Sequence, residues 1–388
     1  MPSANAPAAV FDLGSLLAAL GIAQRTGVGG EPYAVIHGRD GPRWLVPVRS
    51  HFAHAVLQGW RPYSLSARAS WSLLCLAARA GALRSVPGVA STVLPSDASR
   101  QLLRFIGANG SASAPLILLG NQSPTRKLIV FLQPHNAAGI QVVKLPLGPL
   151  AAVSILHEAS TLRSLDGRSG APRLLHLSAE PAASIQQYLP GRLGSRRIKP
   201  AYLQLLAAMA RGESAISLSD RASQLRHSLA QHQASAPHAA QIHALFALLN
   251  NDARLPATLV HGDFAPWNIR EDPQGAVSLI DWESADANGL PLHDLCHFFY
   301  MQARLFAPQS CFYQSMAQSR SLGPYLAATG LPASLAPALA AAFLLATLDR
   351  SLSLRSLDHA QFCLAQSAGF LRSCNNASGQ SGYNRSHQ

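Results

Sequence analysis

Two short segments, residues 261–268 and 280–283, constrain the fold more than any other part of the chain. Between them lie strand-like residues on either side of an Asp-Pro-Gln-Gly sequence at 272–275. Asp, Pro and Gly are typical turn residues, so this pattern predicts a β-hairpin. The hairpin should place Asn268 and Asp281 almost opposite each other, at a separation that one bridging cation can span.

The polar residues of these segments have the chemistry that phosphoryl transfer requires. That reaction needs a carboxylate to orient and deprotonate the attacking hydroxyl, and oxygen ligands for the magnesium ion that neutralises nucleotide phosphates. Asp263 suits the first role, and Asn268 and Asp281 suit the second. A single aspartate after a strand is usually a turn residue or a helix cap, and His-Gly-Asp alone occurs by chance. The joint pattern of loop acid, loop amide and a second acid on the next strand favours the catalytic interpretation.

These motifs resemble those of the aminoglycoside phosphotransferase and choline kinase-like family, which is related to the protein kinases. In that family His-Gly-Asp-x-x-x-x-Asn stands where protein kinases carry His-Arg-Asp-x-x-x-x-Asn, and Ile-Asp-Trp-Glu stands where they carry Asp-Phe-Gly. The resemblance implies an α+β, two-lobed protein kinase-like fold with a β-rich amino lobe and an α-rich carboxyl lobe. It also implies ATP and Mg²⁺ as cofactors. His261 would pack the loop and would not act as a base, and Asp294 would cap or brace the loop.

A strand lysine and a helix glutamate upstream match the nucleotide clamp of such a fold. The chain has only three lysines against 28 arginines, so a lysine inside the apolar stretch 140–145 is unexpected from composition. This residue is Lys144, and Glu158 follows in a helical pattern. In protein kinases a lysine held by a glutamate in this way fixes the α- and β-phosphates. The alternatives are an edge-strand charge for Lys144 and a solvated helix position for Glu158.

The phosphate loop has a weaker signal. Two predicted strands, 116–120 and 128–132, are joined by a loop that lacks the G-x-G-x-x-G pattern of protein kinases. Many members of the resembling family also have a degenerate loop. Gly120, Gln122 and Ser123 are therefore the candidate backbone or hydroxyl contacts to phosphate.

The predicted hinge between the two lobes follows the strand at 183–189, where a Pro-Gly pair breaks the pattern. By resemblance, the main chain at Gln187 and Leu189 would bond adenine, and Tyr188 would lie alongside it. The alternative is a strand end with an exposed tyrosine.

After the hinge, the spacing of apolar residues predicts a helical carboxyl lobe. The expected helices are 202–211, 219–234, 238–250, 291–305 and 337–354. His293 and His297 lie four residues apart, as zinc ligands on a helix do, but no suitable Glu or Cys pair accompanies them, and a core role is favoured. The five scattered cysteines indicate neither a disulfide framework nor a zinc cluster.

Residues 1–105 lie outside the main resemblance. They are predicted to form an extra amino-terminal α/β module, with helices at 64–80 and 96–106. The segment resembles amino-terminal extensions on phosphotransferase-like proteins of bacterial polysaccharide and glycosyl-transfer loci. It carries ten arginines and four acidic residues, and its resulting net charge of +6 is half of the chain's net charge of +12. Such a surface attracts anions, although no nucleic-acid-binding signature accompanies the charge and we expect no nucleic-acid partner. Contact with an anionic surface and a merely solvated basic face both stay open.

The hydrophobic content of 48% suffices for two or three compact units. The longest nearly apolar stretch, 335–348, is too short to cross a bilayer, and residues 1–4 lack the basic start of a signal peptide. We therefore expect no integral membrane segment and a cytoplasmic location. The predicted units are an accessory module, an amino lobe with the nucleotide clamp, a carboxyl lobe and a disordered tail, at 1–105, 106–190, 191–372 and 373–388 respectively.

The expected activity is ATP- and Mg²⁺-dependent transfer of the γ-phosphoryl group to a hydroxyl of a small molecule, such as a sugar, an amino alcohol or a glycoconjugate precursor. The alternative is a catalytically silent kinase-like protein that binds nucleotides or serves as a scaffold. The four residues Lys144, Asp263, Asn268 and Asp281 argue against silence, because a silent relative has no chemical need for all of them.

Overall fold

The computed structural model describes residues 30–38, 41–95, 113–134, 139–179, 182–212, 214–250 and 252–383. The chain divides into two compact units, so each is described by itself. The first comprises Met1–Leu193 and Arg270–Glu283, and the second comprises Gly194–Ile269 and Ser284–Gln388.

An antiparallel eight-stranded sheet forms the framework of the first unit. Its strands are β1 (Gly30–Gly38), β2 (Gly41–Pro47), β3 (Ala90–Pro95), β4 (Leu116–Leu119), β5 (Lys127–Leu132), β6 (Gln141–Pro146), β7 (Leu174–Ala179) and β8 (Ala182–Gln187). They are arranged in the order β3-β1-β2-β4-β5-β6-β8-β7, which makes β6 an interior strand. The helices of this unit are α1 (Ala53–Gln58), α2 (Leu65–Arg79) and α3 (Pro149–Leu165).

The amino-terminal segment continues this sheet. Trp44 of β2 pairs with Leu118 of β4, so the edge that β4 would otherwise expose is hydrogen-bonded. Trp44 is buried, and its ring lies against Trp60, Trp71 and Phe131 at centroid distances of 5.6, 6.1 and 6.2 Å. The predicted accessory module and amino lobe therefore share one sheet and one apolar core in the described residues.

The helix predicted at 64–80 is present as α2. It begins after Ser64, whose hydroxyl accepts a hydrogen bond from the N–H of Ala67, as N-cap serines do. The helix predicted at 96–106 lies outside the described residues.

A small three-stranded sheet completes the first unit and contains the predicted hairpin. Its strands are β9 (Arg192–Leu193), β13 (Ile269–Glu271) and β14 (Val277–Leu279), in the order β14-β13-β9. The turn forms as its residues predict: the Asp272 carboxylate accepts the N–H of Ala276 at 2.7 Å, and Gly275 has a φ of 88°.

Helices dominate the second unit, as the apolar spacing predicts. They are α4 (Pro200–Met209), α5 (Leu218–Ala230), α6 (Ala239–Leu248), α7 (His293–Phe306), α8 (Phe312–Gln318), α9 (Leu322–Thr329), α10 (Ala336–Ser353) and α11 (Leu357–Tyr383). Two pairs of short antiparallel strands accompany them, β10 (Ala215–Ser217) with β11 (Arg254–Pro256) and β12 (Thr258–Val260) with β15 (Asp286–Gly289). The short strand β12 leads directly into the loop at 261–268.

Helix α10 lies in the core of this unit. Phe343 on it packs against Tyr300 and Phe312, with ring centroids 5.5 and 5.7 Å apart. Within the described residues, Ala333–Ser353 is the one helical stretch long and apolar enough to cross a membrane by length and composition. Core helices pass the same test, and 67% of its most apolar window is buried inside the protein.

The carboxyl-terminal helix corrects one prediction. Residues 373–383 were expected to be disordered, but α11 continues through them to Tyr383, and 384–388 lie outside the described residues. Cys363 and Phe370 are fully buried and anchor the earlier turns of α11. Once those turns have formed, each added residue contributes a backbone hydrogen bond without a new nucleation step. A lack of apolar anchors within the segment was therefore a poor guide.

Candidate active site

Lys144 is the centre of an ion-pair cluster in the first unit. Its Nζ donates to both carboxylate oxygens of Glu158 at 2.7 and 2.8 Å, and to Oδ1 of Asp281 at 2.9 Å. Lys144 is 5% exposed and Glu158 is 0% exposed. The lysine and the glutamate predicted as a clamp are thus in contact, and the alternatives of an edge-strand charge and a solvated helix position are wrong.

The local sequence explains this arrangement. Lys144 lies on β6, and the chain turns at Gly148 into α3, which carries Glu158 back toward the lysine. Oε1 of Glu158 also accepts the N–H of Trp282 at 3.1 Å, which fixes the main chain beside Asp281. Asp281 has a φ of 69°, a conformation that is uncommon for an aspartate and that occurs preferentially at functional sites.

The cluster keeps Lys144 charged. Burial would by itself lower the pKa of this ammonium group, but the carboxylates of Asp281 and Glu158 raise its pKa above the ordinary value for lysine. A permanently cationic side chain held by two carboxylates is suited to bind a phosphate oxygen.

The predicted phosphate loop forms a turn between β4 and β5. The N–H of Gly120 donates to the carbonyl of Lys127 at 2.9 Å, and the carbonyl of Gly120 accepts Nε of Arg126 at 3.0 Å. The main chain of Gly120 therefore closes the turn. Gln122 and Ser123 are exposed at its tip. Their contact with phosphate stays a prediction.

The predicted hinge has a different environment from the one expected. The N–H of Gln187 donates to the carbonyl of Arg173 at 2.9 Å. Tyr188 is not an exposed residue at a strand end: its hydroxyl donates to the carbonyl of Ala55 at 3.3 Å, and its ring lies 6.0 Å from Phe131. Tyr188 thus packs against the amino-terminal segment. The proposed bonds of Gln187 and Leu189 to adenine stay predictions.

Two cationic residues near these elements were missed by sequence reasoning. Lys127 is buried at the start of β5, and its Nζ pairs with the carboxylate of Glu283. Arg270 of β13 is buried with its guanidinium 5.3 Å from the centre of the Trp60 ring, a cation–π contact. Burial lowers the pKa of Arg270 to about 10. For Lys127 the scarcity of lysine was an available signal, whereas a single arginine among 28 gives none.

In the second unit, the loop at 261–268 positions the Asp263 carboxylate through the side-chain amide of Asn268. Nδ2 of Asn268 donates to Oδ2 of Asp263 at 2.8 Å and to its main-chain carbonyl at 2.9 Å. The Asp263 side chain is 32% exposed, so a solute can reach it. The loop therefore orients a carboxylate that is open to solvent, as a general base requires.

Asp294 braces the start of this loop, as predicted. Its two carboxylate oxygens accept the N–H of His261 at 2.7 Å and the N–H of Gly262 at 2.9 Å. Gly262 has a φ of 76°, and a Cβ there would lie 2.2 Å from the carbonyl oxygen of Ser284, so glycine is required. His261 is fully buried, which agrees with a packing role.

His297 is buried and His293 is half-buried, and both rings pack against Phe343 of α10. Burial lowers the pKa of His293 to about 4 and that of His297 to about 3, so both rings are neutral near pH 7. Nε2 of His297 lies 3.6 Å from Oδ1 of Asp263, but this contact is not an ion pair because the ring is uncharged. Among the described residues no group of three or more His, Cys, Asp or Glu side chains is arranged to hold a metal ion. The zinc interpretation thus has no support.

Substitution of Asp294 should change the pH dependence of stability. Burial raises the pKa of Asp294 to about 7, although the hydrogen bonds from His261 and Gly262 oppose the shift. An unfolded aspartate has a pKa of about 3.9, so between these values the folded protein binds one proton more than the unfolded chain. The contribution of Asp294 to the free energy of unfolding is therefore fully present below about pH 4 and is lost as the pH rises through about 7.

We expect the wild type to lose about 2 kcal/mol from this group between pH 5 and pH 6.5, and Asp294→Asn to lack that loss. Denaturant unfolding of both proteins at several pH values would measure the difference. Parallel curves of unfolding free energy against pH would show that the two N–H donors keep Asp294 ionised throughout.

Comparison with known proteins places this geometry in a family. The model of the phosphotransferase enzyme family matches residues 136–329, which is half of the 388-residue chain. That range includes Lys144, Glu158, Asp263, Asn268 and Asp281. A comparison of the sequence with curated proteins gives no match.

Solved structures of phosphotransferases and of a kinase are similar to this chain. Aminoglycoside phosphotransferase APH(4)-Ia is 15% identical, with a TM-score of 0.50, over 71% of this chain and 97% of its own. A thermostable mutant of that enzyme in a ternary complex with AMP-PNP and hygromycin B is 15% identical, with a TM-score of 0.50, over 72% of this chain and 98% of its own. Choline kinase from Cryptosporidium parvum Iowa II is 11% identical, with a TM-score of 0.49, over 68% of this chain and 90% of its own.

At such identities the two APH(4)-Ia structures show the fold alone, and they confirm the predicted α+β, protein kinase-like fold. The family model adds what fold similarity cannot, because it matches the part of the sequence that carries both motifs. The chain therefore belongs to the phosphotransferase enzyme family.

Proposed function

We propose that the protein transfers the γ-phosphoryl group of ATP, in the presence of Mg²⁺, to a hydroxyl group of a small molecule. The observation that carries this proposal is the bonding of Lys144 to both Glu158 and Asp281. A charged, buried lysine between these two carboxylates is the arrangement with which kinases fix nucleotide phosphates. A structural ion pair alone would not require the acid of the Ile-Asp-Trp-Glu motif as its second partner.

The chain offers ligands that suit a magnesium ion. Asp281 supplies carboxylate oxygens and Asn268 supplies an amide oxygen, and Mg²⁺ prefers such oxygen donors. An amide that donates through its nitrogen, as Asn268 does to Asp263, can still bind a cation through its oxygen. When bound, the ion would neutralise charge on the phosphates. Because the two residues belong to different units, their joint role stays a prediction.

The proposed mechanism assigns one task to each side chain. Lys144, held by Glu158, binds the α- and β-phosphates. Asp263 accepts a hydrogen bond from the acceptor hydroxyl and takes its proton as the phosphoryl group is transferred. Asn268 keeps the Asp263 carboxylate in position, because its Nδ2 donates to Oδ2. Positioning of this kind supplies much of the catalysis in phosphoryl transfer.

A small-molecule acceptor is part of the proposal. The APH(4)-Ia complex contains AMP-PNP and hygromycin B, an adenine nucleotide analogue and a small molecule. We extend that pairing to this chain and expect the acceptor to be a sugar, an amino alcohol or a glycoconjugate precursor. Its identity depends on loops and helices that vary within a fold.

Nucleotide titration would test the proposal. The wild type should bind ATP with Mg²⁺ and lose most of that affinity in EDTA. Asp281→Asn should weaken ATP binding about tenfold or more, because it removes the negative charge of a group that is both a proposed metal ligand and a partner of Lys144. Asp358→Asn is the matched control, since Asp358 is exposed in the first turn of α11. Calorimetry of the three proteins with and without Mg²⁺ measures these differences.

A screen for ADP release with sugars, aminoglycosides and amino alcohols would then identify the acceptor class. Transfer to a member of any of these classes supports the proposal. A wild type that binds no ATP, with or without Mg²⁺, overturns it. Tight, magnesium-dependent ATP binding without transfer to any acceptor would favour the silent nucleotide-binding protein instead.

A further inference from the structure

We propose that Lys127 binds the phosphates of the nucleotide together with Lys144, and that Glu283 is its counterion until the nucleotide arrives. The inference rests on the proposed function, because it adds a residue to the same phosphate site. It concerns residues of the first unit alone.

The use of lysine in this chain is the first argument. Of its three lysines, Lys199 is exposed, whereas Lys127 and Lys144 are 6% and 5% exposed. Lysine is among the residues least often buried, because removing its ammonium group from water is unfavourable unless a partner compensates. A chain that uses arginine almost everywhere else thus buries two lysines, and a compact ammonium group suits close contact with a phosphate oxygen.

The partners of the two lysines are the second argument. Lys144 pairs with Asp281 and Lys127 pairs with Glu283, so the two acids of the Ile-Asp-Trp-Glu motif each hold one lysine. A single residue separates these acids in the sequence, and this residue, the buried Trp282, is fixed by the hydrogen bond from its N–H to Glu158. The second ion pair therefore lies next to the first.

The strand register is the third argument. In the β5–β6 ladder, Ile129 is opposite Lys144, and Lys127 is two residues before Ile129. Side chains alternate along a strand, so Lys127, Ile129 and Lys144 lie on the same face of the sheet. A diagonal pair of this type has a separation of about 7–8 Å, which long side chains can bridge toward a common ligand. Two neighbouring phosphates of a nucleotide are such a ligand.

The turn before β5 fixes the main chain of Lys127 but not its side chain. The carbonyl of Lys127 accepts the N–H of Gly120 at 2.9 Å, and Leu147 donates to the carbonyl of Arg126 at 3.0 Å. The four-carbon stem of Lys127 can then exchange the carboxylate of Glu283 for a phosphate oxygen. In both states the ammonium group has an anionic partner, which avoids an unpaired buried charge.

A purely structural ion pair is the competing explanation, and the affinity for different ligands separates the two. Calorimetry should compare Mg·ATP with adenosine on the wild type and on Lys127→Met, Glu283→Gln and Lys199→Met. Lys127→Met should weaken Mg·ATP by about 10- to 100-fold, the effect of one hydrogen bond to a charged group, and leave adenosine unchanged. Glu283→Gln should bind Mg·ATP at least as tightly as the wild type, because Lys127 is released. Lys199→Met is the matched control and should behave as the wild type.

The double variant Lys127→Met/Glu283→Leu covers the case in which the single variant folds poorly, since it leaves no unpaired charge. It should show the same selective loss of Mg·ATP. Unchanged Mg·ATP affinity in either Lys127 variant, or an equal loss for Mg·ATP and adenosine, would overturn the inference while the proposed function stands. Failure of the wild type itself to bind Mg·ATP would instead overturn the proposed function.

Discussion

Asp263→Asn is expected to reduce turnover about a hundredfold or more while it retains the affinity for ATP. An asparagine has nearly the same shape but cannot accept a proton from the attacking hydroxyl. The hydrogen bond from Nδ2 of Asn268 can persist with the new amide oxygen, so the loop should keep its geometry. The proposed mechanism assigns the phosphates to Lys144 and the acceptor hydroxyl to Asp263, and for this reason nucleotide binding should be spared.

The measurement is kcat and KM for the acceptor, with ATP affinity determined separately by calorimetry. Asp252→Asn is the matched control, because Asp252 is exposed and lies in the same unit. A decrease in kcat with unchanged ATP affinity is the signature of a group that acts in the transition state. Turnover equal to that of the wild type would rule out Asp263 as the general base, and an equal decrease in the control would indicate a nonspecific effect.

The sequence predicted those parts of the site in which residue chemistry is restrictive. Lys144 was recognisable because lysine is rare in the chain and unexpected in an apolar strand, and Glu158 because it follows on a helix at the position that a clamp requires. The turn at 272–275 predicted the β13–β14 hairpin through its local conformational preferences, which depend little on the rest of the fold. Local rules of this kind can be applied to a sequence directly.

Contacts set by strand order were not predictable in this way. The residues of β2 do not by themselves predict that Trp44 pairs with Leu118, because strand pairing depends on packing and burial more than on intrinsic preference. The contact of Tyr188 with Ala55 depends on that same long-range pairing. Lys127 was missed for a related reason, since its relation to Lys144 appears only once the β5–β6 register is known.

The second large effect concerns the stability of the first unit. Lys144→Met should lower the free energy of unfolding by about 3–5 kcal/mol, because it leaves the carboxylate of Glu158 buried without its cation. The N–H of Trp282 would then be the one remaining hydrogen-bond donor to Glu158 that the structure shows. Lys199→Met is the control for loss of a lysine charge, since Lys199 is exposed, and it should change stability by less than about 1 kcal/mol.

The double variant Lys144→Met/Glu158→Leu separates the cost of the unpaired charge from the value of the pair. Replacement of a whole buried ion pair by apolar residues of similar volume is often neutral or stabilising, whereas removal of one partner is not. We therefore expect the double variant to recover most of the stability lost by Lys144→Met, although it should not bind Mg·ATP with the affinity of the wild type. Denaturant unfolding of the wild type, Lys144→Met, Glu158→Leu and the double variant gives the coupling energy between Lys144 and Glu158 directly. A Lys144→Met protein as stable as the wild type would show that Glu158 finds water or becomes protonated at little cost, and a double variant as unstable as the single one would assign the loss to packing of the lysine stem and not to charge.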